Sequence, residues 1–332
     1  FGAHGLFFHC RLFVQFIMPL NQKILVVDQM HDSIHEVFRS IGFECSYLPE
    51  ITRKEMIQIL PDYVGLIIRS KTAVDEELIL KGKDLRFVGR AGAGVDNIDV
   101  DLLAKKNIEL FNAPEGNRDA VGEHGVGMLL MLLNKLRLAD KEVRSYQWDR
   151  ESNRGYELKN KVVGIFGFGF MGSAFAEKLR GFDCEIIAYD KYKKGYTSDI
   201  DYVKEVELTD FKLRAEVLSI HIPLTPETSH LFDYDYLSSF QNLKYIINMA
   251  RGEVLSLKDL KTILCAGNLS GAALDVLENE KLNTLTSEEQ KTYQSLFDHE
   301  HTIFSPHIAG WTYESYERIN HVLAKKISEI KF

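Results

Sequence analysis

Cysteine is scarce in this sequence: Cys10, Cys45, Cys184 and Cys265 are scattered along 332 residues with no C-x-x-C spacing. That excludes a disulfide-stapled scaffold and points to a reducing, cytoplasmic setting, where each thiol serves as a small apolar side chain. A surplus of positive charge is missing too. There are 40 basic and 48 acidic residues, a net charge of -8, so nothing marks a nucleic-acid or anionic-membrane partner. No apolar run has the length of a membrane span. The apolar stretch at 1–17 is interrupted by His4, His9, Cys10, Arg11 and Gln15, and it lacks the basic start and cleavage site of a secretory signal. Met18 reads as the true start, with 1–17 an added extension. Repeats, low-complexity tracts and Pro/Ser-rich linkers are absent, which excludes a flexible tether between domains.

What is there is ordinary for a soluble globular protein, with 45% apolar and 27% charged residues. At 332 residues the chain outgrows one hydrophobic core, so two domains are expected. Short apolar runs alternate with helix-sized segments. The first series has strands at 24–28, 66–68, 86–88 and 108–111, and a helix carrying Ile34, Val37, Phe38 and Ile41 that ends at Gly42. A second series has strands at 162–166, 185–189, 217–220, 245–248, 271–274 and 302–304, followed by a last helix from Tyr313. This alternation predicts an α/β fold of parallel strands with helices on both faces. Between the series, spacing predicts one helix from Ala120 to Tyr146. Val126, Leu129, Leu130 and Leu133 line one face, and Met128, Met131, Leu132 and Leu136 fill much of the rest. A helix apolar nearly all round needs cover on most sides, which suits a subunit interface.

Gly167-Phe168-Gly169-Phe170-Met171-Gly172 fits G-x-G-x-x-G directly after a strand and before a helix, and the next strand ends at Asp190. Gly167 suits the tight turn, Gly169 the approach of a pyrophosphate, and Gly172 close helix–strand packing. Asp190 would accept from the adenosine ribose and repel a 2′-phosphate, which favours NAD over NADP. Lys191, Lys193 and Lys194 lie close enough to soften that preference. The bland alternative is a glycine turn followed by a solvated aspartate.

Residues 221–228, 248–252, 275–280 and 305–310 each follow the end of a strand, where open α/β sheets bind ligands. Reducing a 2-keto acid needs a guanidinium for the carboxylate, an imidazole for the proton, and a carboxylate to stabilise the imidazolium. Arg251, His307 and Glu280 can fill these roles. They can equally be a helix-flanking cation, a hydrogen-bonded loop histidine and a solvated acid. His299 and His301 form H-x-H without a third ligand, so no metal is expected.

From Lys23 onward the chain resembles the D-isomer-specific 2-hydroxyacid dehydrogenase family, above all its D-3-phosphoglycerate dehydrogenase branch. The residues carrying the resemblance are Arg90 to Asp99, Asn112 to Asn117, Ala120 to His124 and the four segments above. The resemblance implies two Rossmann-like, doubly wound parallel-sheet domains. A flavodoxin-like substrate domain would take 18–115 and 311–332, and a larger NAD domain 116–310. It implies Arg251 as carboxylate binder, His307 as acid/base and Glu280 as its partner. Glu280 follows Asp275 by five residues, although Leu277 and Lys281 depart from the family's D-V-F-x-x-E-P. Ala93 and Gly94 would help hold the carboxylate, with Arg69 and Ser70 bordering the substrate. The glycine motif with Phe170 and Met171, then Asp190, His221, Ile222, Pro223, Thr228, Met249, Ala250, Asp275 and Gly310, would line NAD.

A homodimer through the NAD domain is implied as well. Arg69 and Lys71 suit a phosphate, hence 3-phosphoglycerate and serine biosynthesis, ahead of a lactate or glyoxylate/hydroxypyruvate type. A regulatory extension after the last helix, with feedback by serine, is not expected. Glu280 speaks against a formate dehydrogenase, which has no keto oxygen to protonate. A non-enzymatic, NAD-sensing co-repressor is the rival from another class. An adenosylhomocysteinase-like hydrolase would need a larger substrate domain.

Overall fold

The structure is a computed structural model that describes residues 22–330, so the expected start at Met18 and extension at 1–17 lie outside the described residues. The first series forms strands β1 (Gln22–Val26), β2 (Phe43–Tyr47), β3 (Gly65–Ile68), β4 (Phe87–Arg90) and β5 (Glu109–Asn112). Between them run helices α1 (Ser33–Ser40), α2 (Arg53–Ile59), α3 (Glu76–Lys81) and α4 (Val100–Lys105). The sheet order is β2-β1-β3-β4-β5, the flavodoxin-like order, and β1 pairs in parallel with both neighbours. The helix expected to end at Gly42 is α1, and Gly42 takes φ 91° just beyond it. Strand β2 escaped the sequence reading for a physical reason. It is an edge strand with Phe43 alone buried, so it shows no apolar run.

Two helices follow, α5 (Pro114–Leu133) and α6 (Leu136–Arg144). They correct the expected single helix from Ala120 to Tyr146. The helix starts earlier, with Pro114 in its first turn where the missing N–H costs nothing, and it breaks at Asn134–Lys135. Lys135 takes the left-handed region at φ 50°, and its ammonium donates to the Ser152 carbonyl at 2.7 Å. Apolar cover stops at the same point, since α5 buries Met128, Leu129, Leu132 and Leu133 while α6 buries none of its residues.

The second series is β6 (Val162–Phe166), α7 (Phe170–Lys178), β7 (Glu185–Tyr189), β8 (Lys204–Glu205), α8 (Leu208–Arg214) and β9 (Val217–Ile220). It continues through α9 (Tyr234–Ser238), β10 (Tyr245–Asn248), α10 (Leu257–Cys265), β11 (Gly271–Leu274), α11 (Ser287–Asp298), β12 (Thr302–Phe304) and α12 (Tyr313–Ser328). Seven parallel strands lie in the order β8-β7-β6-β9-β10-β11-β12. Strand order reverses at β6, which makes the carboxyl ends of β6 and β9 the topological switch point. Side chains alternate strictly between the two faces. Ile165, Ile186, Ala188, Val217, Ile247 and Ala273 join one core with α5 and α7. Phe166, Ile187, Leu218, Ile246, Ala272 and Leu274 join a second with α8, α10 and α11. Both faces are covered, which is why these strands read as continuous apolar runs.

Contacts divide the described residues into two units. The smaller holds residues up to Gly89, Asn97–Phe111 and residues from Ala324 onward; the larger holds Arg90–Asp96 and Asn112–Leu323. This grouping differs from the expected division into 18–115 with 311–332 and 116–310: residues 90–96, 112–115 and 311–323 go with the larger sheet.

Candidate active site

In the larger unit, the loops after β7, β6 and β9 carry the residues expected at a dinucleotide. Gly167 takes φ 95° beside the His221 carbonyl, a conformation and closeness that a side chain would not tolerate. A Cβ on Gly172 would meet the Gly167 carbonyl, so α7 can lie tightly on the sheet only with glycine there. Gly169 differs. No heavy atom lies within 4 Å of where its Cβ would be, so nothing inside the protein requires glycine at that position. It is the N-cap of α7, whose first turn (Phe170, Met171, Gly172) has no side-chain cap, whereas α2, α3, α10 and α11 are capped by Thr52, Asp75, Ser256 and Thr286. An open cradle over uncapped N–H groups fits a pyrophosphate.

Asp190 accepts from the Phe168 amide at 2.9 Å with one oxygen, and from the amides of Tyr192 and Lys193 with the other. The carboxylate is thus locked to the glycine loop. His221 donates its amide to the Phe166 carbonyl, and its imidazole Nε2 meets the Ser219 hydroxyl at 2.8 Å. Burial pushes this imidazole down to about 3, keeping it neutral. Ile222 and Pro223 follow it into a turn tied by Thr228, whose hydroxyl donates to the Pro223 carbonyl at 2.7 Å.

The loops after β10, β11 and β12 hold the proposed chemistry side by side, because these strands are neighbours. Arg251 follows β10 with Met249, which is buried, and Ala250. Asn248, also buried, donates to the Arg251 carbonyl at 2.9 Å and accepts from the Ala250 amide at 3.0 Å, fixing the turn. The Arg251 guanidinium directs Nε and Nη2 onto one oxygen of Asp96, at 2.9 and 2.5 Å, and Nη1 onto the Ala250 carbonyl. A Cβ on Gly94 would sit 1.6 Å from Arg251 Nη2, so the Ala93–Gly94 backbone lies directly against the guanidinium. Asn112 holds that backbone by donating to the Ala93 carbonyl at 2.7 Å. Gly252 packs on the backbone of Leu277 and Glu278, joining the arginine loop to the loop that ends in Glu280.

His307 Nδ1 faces the Glu280 carboxylate at 2.8 and 3.1 Å, with both residues half-exposed. The His307 backbone is left-handed, φ 55°, and its amide donates to the Asp275 carbonyl at 2.7 Å. Asp275 is almost wholly buried and its carboxylate is fully engaged. It accepts from the Ser305 hydroxyl at 2.5 Å and the amides of Ile308 and Ala309 at 2.9 and 2.8 Å. Ser305 spends its one proton on Asp275, so it accepts from His124 Nε2 at 3.0 Å. Gly310 closes the turn against the Asn117 side chain.

In the smaller unit, Arg69 and Ser70 follow β3. The buried Asp28 carboxylate accepts from the Arg69 amide and the Thr72 hydroxyl, and Asn97 donates to the Arg69 and Thr72 carbonyls. Lys71 donates to the Pro49 carbonyl at 2.9 Å. His299 caps the end of α11 by donating its amide to the Leu296 carbonyl, its Nδ1 accepts from the His301 amide at 3.2 Å, and no group of three metal-ligating side chains occurs among the described residues. No described helix is long and apolar enough to cross a membrane. Sequence reasoning assigned no role to Asp96, Asn248, Ser305 or His124. For Asn248 and Ser305 the available signal was a polar residue at a strand end, where its hydrogen bonds must be met; Asp96 and His124 carried no such signal.

Comparisons with known proteins bear on the family and the fold. A family model described as the D-isomer specific 2-hydroxyacid dehydrogenase NAD binding domain matches residues 126–309. A D-3-phosphoglycerate dehydrogenase of Archaeoglobus fulgidus is 30% identical over 305 residues, covering 92% of this chain and 56% of the relative. One from Sus scrofa is 31% identical over 303 residues, covering 91% and 55%. The chain thus spans about half the length of these curated relatives. Among solved structures, a glyoxylate reductase from Paecilomyes thermophila superposes with a TM-score of 0.80 at 23% identity, covering 93% of this chain and 95% of that one. A D-lactate dehydrogenase from Aquifex aeolicus, complexed with NAD and lactic acid, gives 0.78 at 24%, covering 92% and 94%. Those two likenesses concern the fold.

Proposed function

The chain belongs to the D-isomer specific 2-hydroxyacid dehydrogenase family, and on that footing we propose that it is an NAD-dependent oxidoreductase interconverting a small 2-hydroxy acid and its 2-keto acid. The observation that carries the reading is the His307–Glu280 pair, 2.8 Å apart, which joins the loop after β12 to the loop after β11, the latter packed on the loop that aims Arg251 at the Gly94 backbone. Bound NAD would sit on the Gly167–Gly172 turn with Asp190 at its ribose, and it would supply the hydride acceptor or, reduced, the donor. Arg251, with the Ala93–Gly94 backbone, would hold the substrate carboxylate. His307 would pass a proton to the keto oxygen in reduction and recover it in oxidation. With Nδ1 committed to Glu280, the proton exchanges at Nε2, and Glu280 balances the charge of the imidazolium.

The substrate we favour is the 3-phosphoglycerate/phosphohydroxypyruvate pair of serine biosynthesis. Arg69 near Lys71 and the names of the curated relatives support it. A keto acid without phosphate, of glyoxylate, hydroxypyruvate or lactate type, is the second reading, because Lys71 is spent on the Pro49 carbonyl. The protein would work in the cytoplasm as a homodimer, joined through α6 and the segment after it, where Leu136, Val143, Tyr146 and Trp148 are exposed.

The test is NADH and NADPH oxidation with a panel of keto acids that includes phosphohydroxypyruvate. Turnover should be seen with NADH. Arg251→Ala should raise KM about 100-fold, as expected from losing paired charge-assisted hydrogen bonds. His307→Ala should lower kcat by about 100-fold or more, the usual yield of acid–base catalysis. Silence across the panel with intact NADH binding would leave the co-repressor-like sensor standing instead.

A further inference from the structure

The three lysines just beyond Asp190 are all spoken for. Lys194 pairs with Glu207 at 2.6 Å, and Lys193 donates its ammonium to the Phe168 carbonyl at 3.0 Å. Lys191, the residue directly after Asp190, is held by the carboxylate of Glu227. The other oxygen of Glu227 accepts from the Tyr192 hydroxyl at 2.5 Å. Glu227 belongs to a different part of the chain, the turn after β9, which Thr225 and Thr228 lock by exchanging hydrogen bonds. One carboxylate thus joins the loop after β9 to the loop after β7, across the strand end that carries the glycine motif.

We infer that Glu227 is a specificity-determining residue that keeps the site selective for NAD by withholding Lys191 from a 2′-phosphate. The inference rests on the dinucleotide reading of the Gly167–Asp190 region. In doubly wound folds a cation beside the ribose-binding acid is what accommodates NADP. Lys191 stands in the right place to be that cation, so Asp190 alone leaves a latent NADP site. Glu227 neutralises it and adds a second negative charge facing any phosphate. The ion pair is solvent-exposed and contributes little to stability, so its value lies in where it holds the charge.

The test measures nucleotide binding, not turnover, through the fluorescence of NADH and NADPH titrated into the full chain. Glu227→Gln keeps the side-chain length and an acceptor for Tyr192 while releasing Lys191. The ratio of the NADPH to the NADH dissociation constant should fall about tenfold, equivalent to about 1.4 kcal/mol. Adding Lys191→Met to Glu227→Gln should restore the original ratio. An unchanged ratio in Glu227→Gln, or the same fall with Lys191 removed, overturns the proposal while leaving the NAD site in place. Binding of neither nucleotide by the unsubstituted chain would overturn both.

Discussion

One oxygen of Asp96 takes Nε and Nη2 of Arg251 and the Ala250 carbonyl takes Nη1, which leaves one N–H on each of Nη1 and Nη2 for a second carboxylate. Two effects of Asp96 oppose each other there. Its charge weakens the pull of Arg251 on a substrate, whereas its hydrogen bonds fix the fork that two-point binding requires. Orientation should win, because the pair is partly exposed and its charge is screened, while a misaligned fork loses a charge-assisted bond outright. Asp96→Asn is therefore expected to raise KM for the keto acid about fivefold, a loss of roughly 1 kcal/mol, with KM for NADH unmoved. A parallel rise in both constants would mean a damaged fold and would dispose of the orienting role. Arg251, Glu280 and His307 were legible as candidates because each lies in a loop beyond a strand end, while their roles rested on the family resemblance. Asp96 was not, since its partner is 155 residues away and pairing at that range leaves no local pattern.

At the scale of elements, three adjacent strands deliver arginine, glutamate and histidine loops in that order, and β9, β6 and β7, which flank the switch point, deliver the nucleotide loops. This division follows from strand order alone, and the six apolar runs of the larger sheet were readable because burial on two faces makes them continuous. Edge strands β2 and β8 were not readable, being short or half-exposed. The break at Asn134–Lys135 also went unseen: periodicity carries on through Leu136 and Leu138, while a single left-handed residue redirects the chain. That break gives α6 its meaning. Leu136 and Val143 are both 52% exposed on a helix that buries nothing within the chain. Covering one such side chain contributes about 1.5 kcal/mol at the low end. Leu136→Glu combined with Val143→Glu should thus weaken self-association about 100-fold or more. Sedimentation at micromolar protein would show a dimer for the parent and a monomer for the variant; a monomeric parent would end the homodimer reading.

For the molecule as a whole, the buried imidazole of His221 sets a direction for stability against pH. Its folded pKa is pushed down to about 3 from an ordinary 6.5, so between those values the unfolded chain binds a proton that the folded one refuses. Stability is then complete above about pH 6.5 and falls on acidification, by at most about 1.4 kcal/mol per pH unit. His301, also lowered chiefly by burial, acts in the same sense. Glu185, held low first by its hydrogen bond from Arg214, adds a loss only further down, as pH drops below the usual carboxylate range. Glu278, raised by burial, opposes them, since a carboxyl that prefers its proton in the fold gains as pH falls. His221 retains some solvent contact as a residue, so the realised slope is expected at roughly half the ceiling, about 0.7 kcal/mol per unit. Replacing it with Gln keeps a partner for the Ser219 hydroxyl and removes the titration while leaving the other three groups in place. Urea unfolding at pH 7.5 and pH 5.0 should then show the parent losing about 1 kcal/mol more than His221→Gln over that interval. Equal losses would mean that the imidazole is hydrated or already protonated in the fold, and the pH dependence would have to come from the carboxylates instead.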